Sequence, residues 1–227
     1  ADDSIFIGKS TKGVESSTNQ IVIGDGAEGL GSNTTVLGSS ATTLTRLQGD
    51  VDTDGAYQKD GVTILDTDSG LASTAVGEGA LSDALLTGVN NTATGYQSLI
   101  GNESGTSNTA TGHTSLFSNT IGAGNVATGR SALFSNIGGD FNVASGFQSL
   151  YSNQSGSYNA AAGYQSLFSN TVGDYNVAAG SQSLYANTSG TTNLALSREA
   201  LRFNTTGNYN VAAGYRSLYQ NVDGSHN

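Results

Sequence analysis

The sequence predicts an all-β protein: a trimeric parallel β-roll or β-solenoid-like fibre assembled from 17-residue repeats. Three observations predict it. From Asn91 to Asn227 the chain repeats every 17 residues without insertion or deletion, in the register N-x-A-x-G-x-x-S-L-x-x-N-x-x-G-x-x. An unbroken short period belongs to stacked equivalent coils, because a change in coil length would throw neighbours out of alignment. Within the period, one small and one larger aliphatic residue keep fixed places. Finally, each coil carries little apolar surface, which calls for a core shared between chains.

The array justifies itself position by position, counting Asn91 as position 1. Position 3 is always Ala, as at Ala93 and Ala161, and position 9 is always Leu, as at Leu99 and Leu167. Two columns of this kind form a thin interior. Position 12 is always Asn, as at Asn102 and Asn170; with the Asn of position 1 it makes two ladders able to bond between adjacent coils. Position 15 is always Gly, as at Gly105 and Gly173, and position 5 is Gly except at Ser197. Two glycines per coil predict two corners, each needing positive φ or close backbone approach. Between them two short strands are expected, N-x-A-x and S-L-x-x-N. One Ala and one Leu contribute roughly 2–4 kcal/mol at ~25 cal/mol/Å², against roughly 1 kcal/mol or more per residue for ordering the backbone. The position-10 aromatics, Phe117, Phe134, Tyr151, Phe168, Tyr185 and Tyr219, are expected to supply the shared core.

The chain before the array divides in two. Residues 1–49 read as looser β-roll repeats, with short strands ending in Gly8, Gly24 and Gly38 and a fourth strand from Thr42 to Leu47. Residues 50–72 read as a β-connector, Tyr57 and Val62 to Leu65 being separated by the turn signal Lys59-Asp60-Gly61. The shaft occupies 73–227, its forerunner Ser73-Thr74-Ala75-Val76-Gly77 lying 18 residues before the first strict copy.

Composition narrows the function classes. The 227 residues include 32 Gly and no Pro, Cys, Met or Trp, so neither a disulfide framework nor a thiolate metal site is available. Net charge is −10, and residues 91–227 carry only −1 of it, from five acidic and four basic side chains. Such a chain repels phosphate backbones and anionic bilayers, so neither nucleic acid nor membrane insertion is expected. The missing Met and the Ala1 start read as an internal or processed segment.

Several constellations carry residue types suited to chemistry. Asp50, Asp52 and Asp54 open a D-x-D-x-D-G calcium loop, but Gly61 stands where the loop's closing Glu belongs. The same three residues also alternate as a polar strand face. His113 and His226 fall at different repeat positions and read as surface residues. Of the carboxylates Glu103, Asp140, Asp174 and Glu199, only Asp140 and Asp174 align, two coils apart. That spacing would roughly suit a glycosidase pair, yet no cleft accompanies it, and no enzyme is expected. Thr94, Thr111 and Thr128 begin an ice-binding-like column that decays to Ser145 and Ala162. Tyr96, Phe147, Tyr164 and Tyr215 at position 6, with Phe141, Tyr158, Tyr175 and Tyr209 at position 17, could pack between chains or contact a receptor or glycan.

Two resemblances add to this reading. Ser4-Ile5-Phe6-Ile7-Gly8, Gln20-Ile21-Val22-Ile23-Gly24 and Thr34-Thr35-Val36-Leu37-Gly38 resemble head repeats of trimeric autotransporter adhesins. Units such as Asn159-Ala160-Ala161-Ala162-Gly163-Tyr164-Gln165-Ser166-Leu167-Phe168-Ser169-Asn170 resemble repeats of bacteriophage tail fibres, and Gly55 to Leu71 is similar to their strand-rich linkers. The second resemblance implies a homotrimer on a virion tail fibre, assembled with other tail or fibre proteins and supporting attachment to a host cell-surface receptor or glycan. The first implies the alternative, an adhesin head on a bacterial cell surface that binds host matrix or cells. Many such fibres end in a self-cleaving chaperone, and the array is expected to continue past Asn227. No cofactor is implied.

Overall fold

The computed structural model describes residues 4–8, 10, 12–13, 21–23, 28, 35–37, 57–59, 62–68, 73–82 and 87–227. The chain separates into two units, Ala1–Asp52 and Thr53–Asn227. The fourth strand expected over Thr42–Leu47 and the residues Asp50, Asp52 and Asp54 lie outside the described residues.

In the first unit, β1 (Ile5–Ile7), β2 (Ile21–Ile23) and β3 (Thr35–Leu37) form a parallel sheet in the order β1-β2-β3. Ile5 aligns with Ile21 and Ile21 with Thr35, steps of 16 and 14 residues. Val22 is fully buried, and Lys12 forms a parallel bridge with Glu28, their side chains meeting at 3.3 Å.

The second unit is a single eleven-stranded sheet. It opens with an antiparallel hairpin of β4 (Tyr57–Lys59) and β5 (Val62–Asp68). Strand β5 then pairs antiparallel with β6 (Ser73–Val76), aligning Asp66 with Ala75. The hairpin therefore occupies the sheet edge that the first coil would otherwise leave open to another chain. From β6 onward every neighbour is parallel: β7 (Thr92–Thr94), β8 (Thr109–Thr111), β9 (Val126–Thr128), β10 (Val143–Ser145), β11 (Ala160–Ala162), β12 (Val177–Ala179), β13 (Leu194–Leu196) and β14 (Val211–Ala213). Alanine pairs with alanine at each step, from Ala75 with Ala93 to Ala195 with Ala212. This unit is a parallel β-solenoid of about eight turns, extending about 40 Å at roughly 4.8 Å per coil.

Each coil contains one three-residue strand, at positions 2–4, where two were expected. The S-L-x-x-N segment is a run of turns instead, and its cause is backbone handedness. Positions 7, 9 and 17 all have positive φ, for example Gln165 (51°), Leu167 (50°) and Tyr175 (56°). Left-handed residues interrupt the two-residue alternation of a strand and let the chain close a coil within 17 residues. Coils still bond to each other outside the strands: Leu150 N–H donates to Ser166 O at 3.0 Å, and Gln165 N–H donates back to Phe147 O at 2.9 Å.

The interior is closed by each coil's own residues at positions 1, 3, 8, 9, 12 and 15, all buried in the central copies. Ala161 and Leu167 form its apolar half. The polar half is a bonded asparagine lattice. Asn153 Nδ2 donates to Asn136 Oδ1 at 2.8 Å and to Gly156 O at 2.9 Å, and its Oδ1 accepts from Asn170 Nδ2 at 2.8 Å. In the position-1 column, Asn142 Oδ1 accepts from the backbone N–H of Asn159 at 3.0 Å, and Asn142 Nδ2 crosses the interior to Gly156 O at 2.8 Å. Both columns thus converge on the position-15 carbonyl. Buried amides satisfied in this way avoid the desolvation penalty of unpaired groups.

The two glycines meet different demands. Gly163 has φ of 135°, and a Cβ there would lie 2.8 Å from the Gly180 carbonyl. Gly156 needs no positive φ, but a Cβ would lie 2.5 Å from both Gly173 O and Asn153 Oδ1. Neither place admits a side chain without displacing backbone.

Candidate functional site

With the interior occupied by bonded Asn, Ala and Leu, most positions that vary between copies are outward ones, the interior position 8 alternating only between Ser and the Ala of Ala132 and Ala200. Ala93, Ala161, Leu99, Leu167, Asn102, Asn170, Gly105 and Gly173 are all interior and belong to the scaffold. The outer surface carries three columns of planar side chains.

Position 10 gives the longest. Phe117, Phe134, Tyr151, Phe168 and Tyr185 stack in sequence with centroid steps of 4.9, 5.1, 5.1 and 5.2 Å, nearly parallel. These rings, expected to line a core shared between chains, lie half-buried along the flank of their own coils. Position 17 stacks Phe141, Tyr158 and Tyr175, then Tyr209 on His226. Position 6 stacks Tyr96 on His113 at 5.0 Å and Phe147 on Tyr164 at 5.5 Å, with the Arg130 guanidinium 5.8 Å from the Phe147 centroid. Tyr96, Phe147, Tyr164 and Tyr215 all reach the outside of the single chain. Their neighbours in the column differ. Phe147 has the Arg130 guanidinium on one side and Tyr164 on the other, whereas the position-6 residue of the copy after Tyr164 is Ser181, which brings no ring.

Copies seven and eight hold a charge cluster centred on Glu199. Glu199 is buried, and its carboxylate accepts from Arg216 Nε at 2.6 Å, with Arg198 Nε at 3.7 Å and Arg202 Nη1 at 3.9 Å. The Arg216 hydrogen bond holds the Glu199 carboxyl below its ordinary pKa against the opposing effect of burial, with the surrounding arginine charges adding to the lowering. Arg216 is correspondingly raised by its bond to Glu199. Arg198 lies over the Tyr215 ring at 4.7 Å and donates from Nη2 to the Tyr215 hydroxyl at 2.9 Å. The sequence did carry a signal: three of the array's four arginines fall within two adjacent copies.

The other candidates take scaffold roles. Asp140 Oδ1 accepts from Ala123 N–H at 2.8 Å and Asp174 Oδ1 from Ser157 N–H at 2.7 Å, so each bonds a backbone amide of the preceding coil. His113 and His226 are each stacked on a tyrosine, and the Thr92, Thr94, Thr109, Thr111 and Thr128 hydroxyl face lies on successive strands. Among the described residues, no group of three or more His, Asp or Glu is placed to hold a metal ion, and no helix is long and apolar enough to cross a membrane.

These features define the class of the second unit: a repeat β-solenoid with stacked outer columns. No protein-family model, curated protein or solved structure matches the chain.

Proposed function

We propose that this chain is a structural and adhesive segment of a phage or phage-like tail fibre, working as a homotrimer beside other fibre proteins and supporting attachment to a host cell-surface receptor or glycan. The observation that carries the reading is the continuous axial lattice of asparagine bonds. Each coil is tied to the next through backbone, Asn-column and aromatic-column contacts, so bending the array means breaking several together. Stiffness along one axis is the property a spacer needs. The near-neutral, Asn/Ser/Thr/Tyr-rich surface fits an extracellular environment and a polar receptor surface better than nucleic acid.

The second reading, a bacterial trimeric adhesin head, draws on the parallel, aligned strands β1–β3. Small-angle scattering with sedimentation equilibrium on the purified chain tests the mechanical part. A rod-like trimer is the expected result, and a flexible monomer would refute it. Binding of the labelled chain to bacterial cells, set against binding to animal-cell matrix, separates the two owners.

A further inference from the structure

The position-6 column has one interruption. Its eight occupants are Tyr96, His113, Arg130, Phe147, Tyr164, Ser181, Arg198 and Tyr215. Seven are planar π groups, and the eighth is a serine. Around it the column is ordered: Tyr164 stacks on Phe147 below, and the Arg198 guanidinium carbon lies 4.7 Å from the Tyr215 ring centroid above. Tyr164 and Arg198 are two coils apart, about 10 Å along the axis at roughly 4.8 Å per coil. A ring placed between them would sit about 5 Å from each, the same step that separates stacked rings elsewhere in the columns. Ser181 thus leaves a slot one ring thick, walled by an aromatic face and a guanidinium.

The walls also differ in charge. Arg198, Arg202 and Arg216 surround one carboxylate, and among the described residues Glu199 is the only acidic group in ion-pair contact with them. Glu199 takes its short bond from Arg216, and the Arg198 contact is the longer 3.7 Å. Three cations against one anion leave a local surplus of two positive charges, whereas the other charged residues of the array, four acids and Arg130, sum to −3. Arg198 is held by the Tyr215 hydroxyl yet its side chain stays 59% exposed, so guanidinium N–H groups remain within reach of a guest. Tyr164 is itself 50% exposed, so a guest's polar groups could stay hydrated while its apolar face is covered.

We infer that the Tyr164–Ser181–Arg198 gap binds a carboxylated pyranose, its C–H face packed on Tyr164 and its carboxylate paired with Arg198. An arginine fork matches carboxylate geometry, and the contact with Tyr215 orients that fork in advance. A fully hydroxylated, solvent-open guest fits this half-exposed slot better than an apolar one. The inference deepens the attachment reading by naming an acidic sugar as the receptor chemistry, although the slot exists whether or not the rod belongs to a fibre.

The test is calorimetric titration of the full chain with an oligosaccharide of glucuronic acid. The comparison ligands are the same oligosaccharide with its carboxylates reduced to alcohols, and benzoate. Binding of the acid form at least tenfold tighter than either is expected. Ser181→Tyr completes the column, and it should weaken binding at least tenfold while leaving the fold intact or more heat-resistant. Arg198→Gln should do the same, and Phe147→Leu, at a ring lying between Arg130 and Tyr164, should change affinity less than threefold. Undetectable binding to the parent chain, equal binding of the reduced sugar or of benzoate, or full binding by Ser181→Tyr would overturn the assignment. Failure here leaves the scattering result for the rod unaffected, and a flexible monomer that still binds through Ser181 would sink the fibre reading alone.

Discussion

Replacing Asn153 with alanine isolates the contribution of the asparagine lattice. In the parent, Asn153 makes three side-chain bonds: to Asn136 Oδ1, to Gly156 O and from Asn170 Nδ2. Alanine removes all three. Gly156 O keeps its other donor, Asn142 Nδ2, and Asn170 Nδ2 keeps Gly173 O. What is orphaned is the Asn136 Oδ1 acceptor and one N–H of Asn170, both fully buried. Each buried unsatisfied group costs about 1–3 kcal/mol, and the vacated volume adds to this, so the variant should lose about 3–6 kcal/mol. Urea unfolding followed by circular dichroism measures it, with the midpoint falling at constant m-value. Gln148→Ala is the control, removing the half-buried bond from Gln165 Nε2 to Gln148 Oε1, and should lose under about 1 kcal/mol. The double variant Asn153→Ala/Asn170→Ala should lose less than the sum of the two singles, because both delete the same bond. A loss below about 1 kcal/mol for Asn153→Ala, or strict additivity of the pair, would refute the claim that bonded columns hold the coils together.

Other perturbations follow from the same geometry. Gly156→Ala puts a Cβ 2.5 Å from the Gly173 carbonyl and should destabilise by about 3 kcal/mol or more, read from the same urea curves. Thr192→Gly should raise the melting temperature, since exposed Thr192 holds φ of 57°; relieving a β-branched left-handed residue is worth about 1–2 kcal/mol, partly offset by about 0.5–1 kcal/mol of glycine entropy. The lowered Glu199 pKa gives a stabilisation that is fully present above pH 4.5 and is lost as pH falls through the folded-state value below it. Hydrogen-exchange protection factors of the last two coils, taken relative to the intrinsic rate at each pH, should therefore fall on acidification below that point, and Glu199→Gln should remove that component of the dependence.

The sequence was legible where one position answers to one local demand. Position-5 glycines announce the positive φ of the first corner, and the invariant Ala, Leu and Asn announce interior columns. The left-handed Leu of position 9 was not legible. Leucine has no preference for positive φ, and it is held there by burial in a column of its own kind. That is why S-L-x-x-N read as a strand and is a turn. Nor does the apolar content of Ala and Leu reveal how the interior is filled, because it is completed by amides that two columns satisfy through one glycine carbonyl.

For the candidate site, the sequence supplied the positions and the tertiary structure supplied their meaning. Tyr96, Phe147, Tyr164 and Tyr215 are equivalent in the repeat, but one lies between two planar neighbours and another beside a gap. The period of 17, the coil and its axial register were determined by the sequence alone, because any other alignment would separate the interior columns. Which rings have planar neighbours on both sides, and that Arg198 stands across Ser181 from Tyr164, depended on residues 17 and 34 apart being stacked in space.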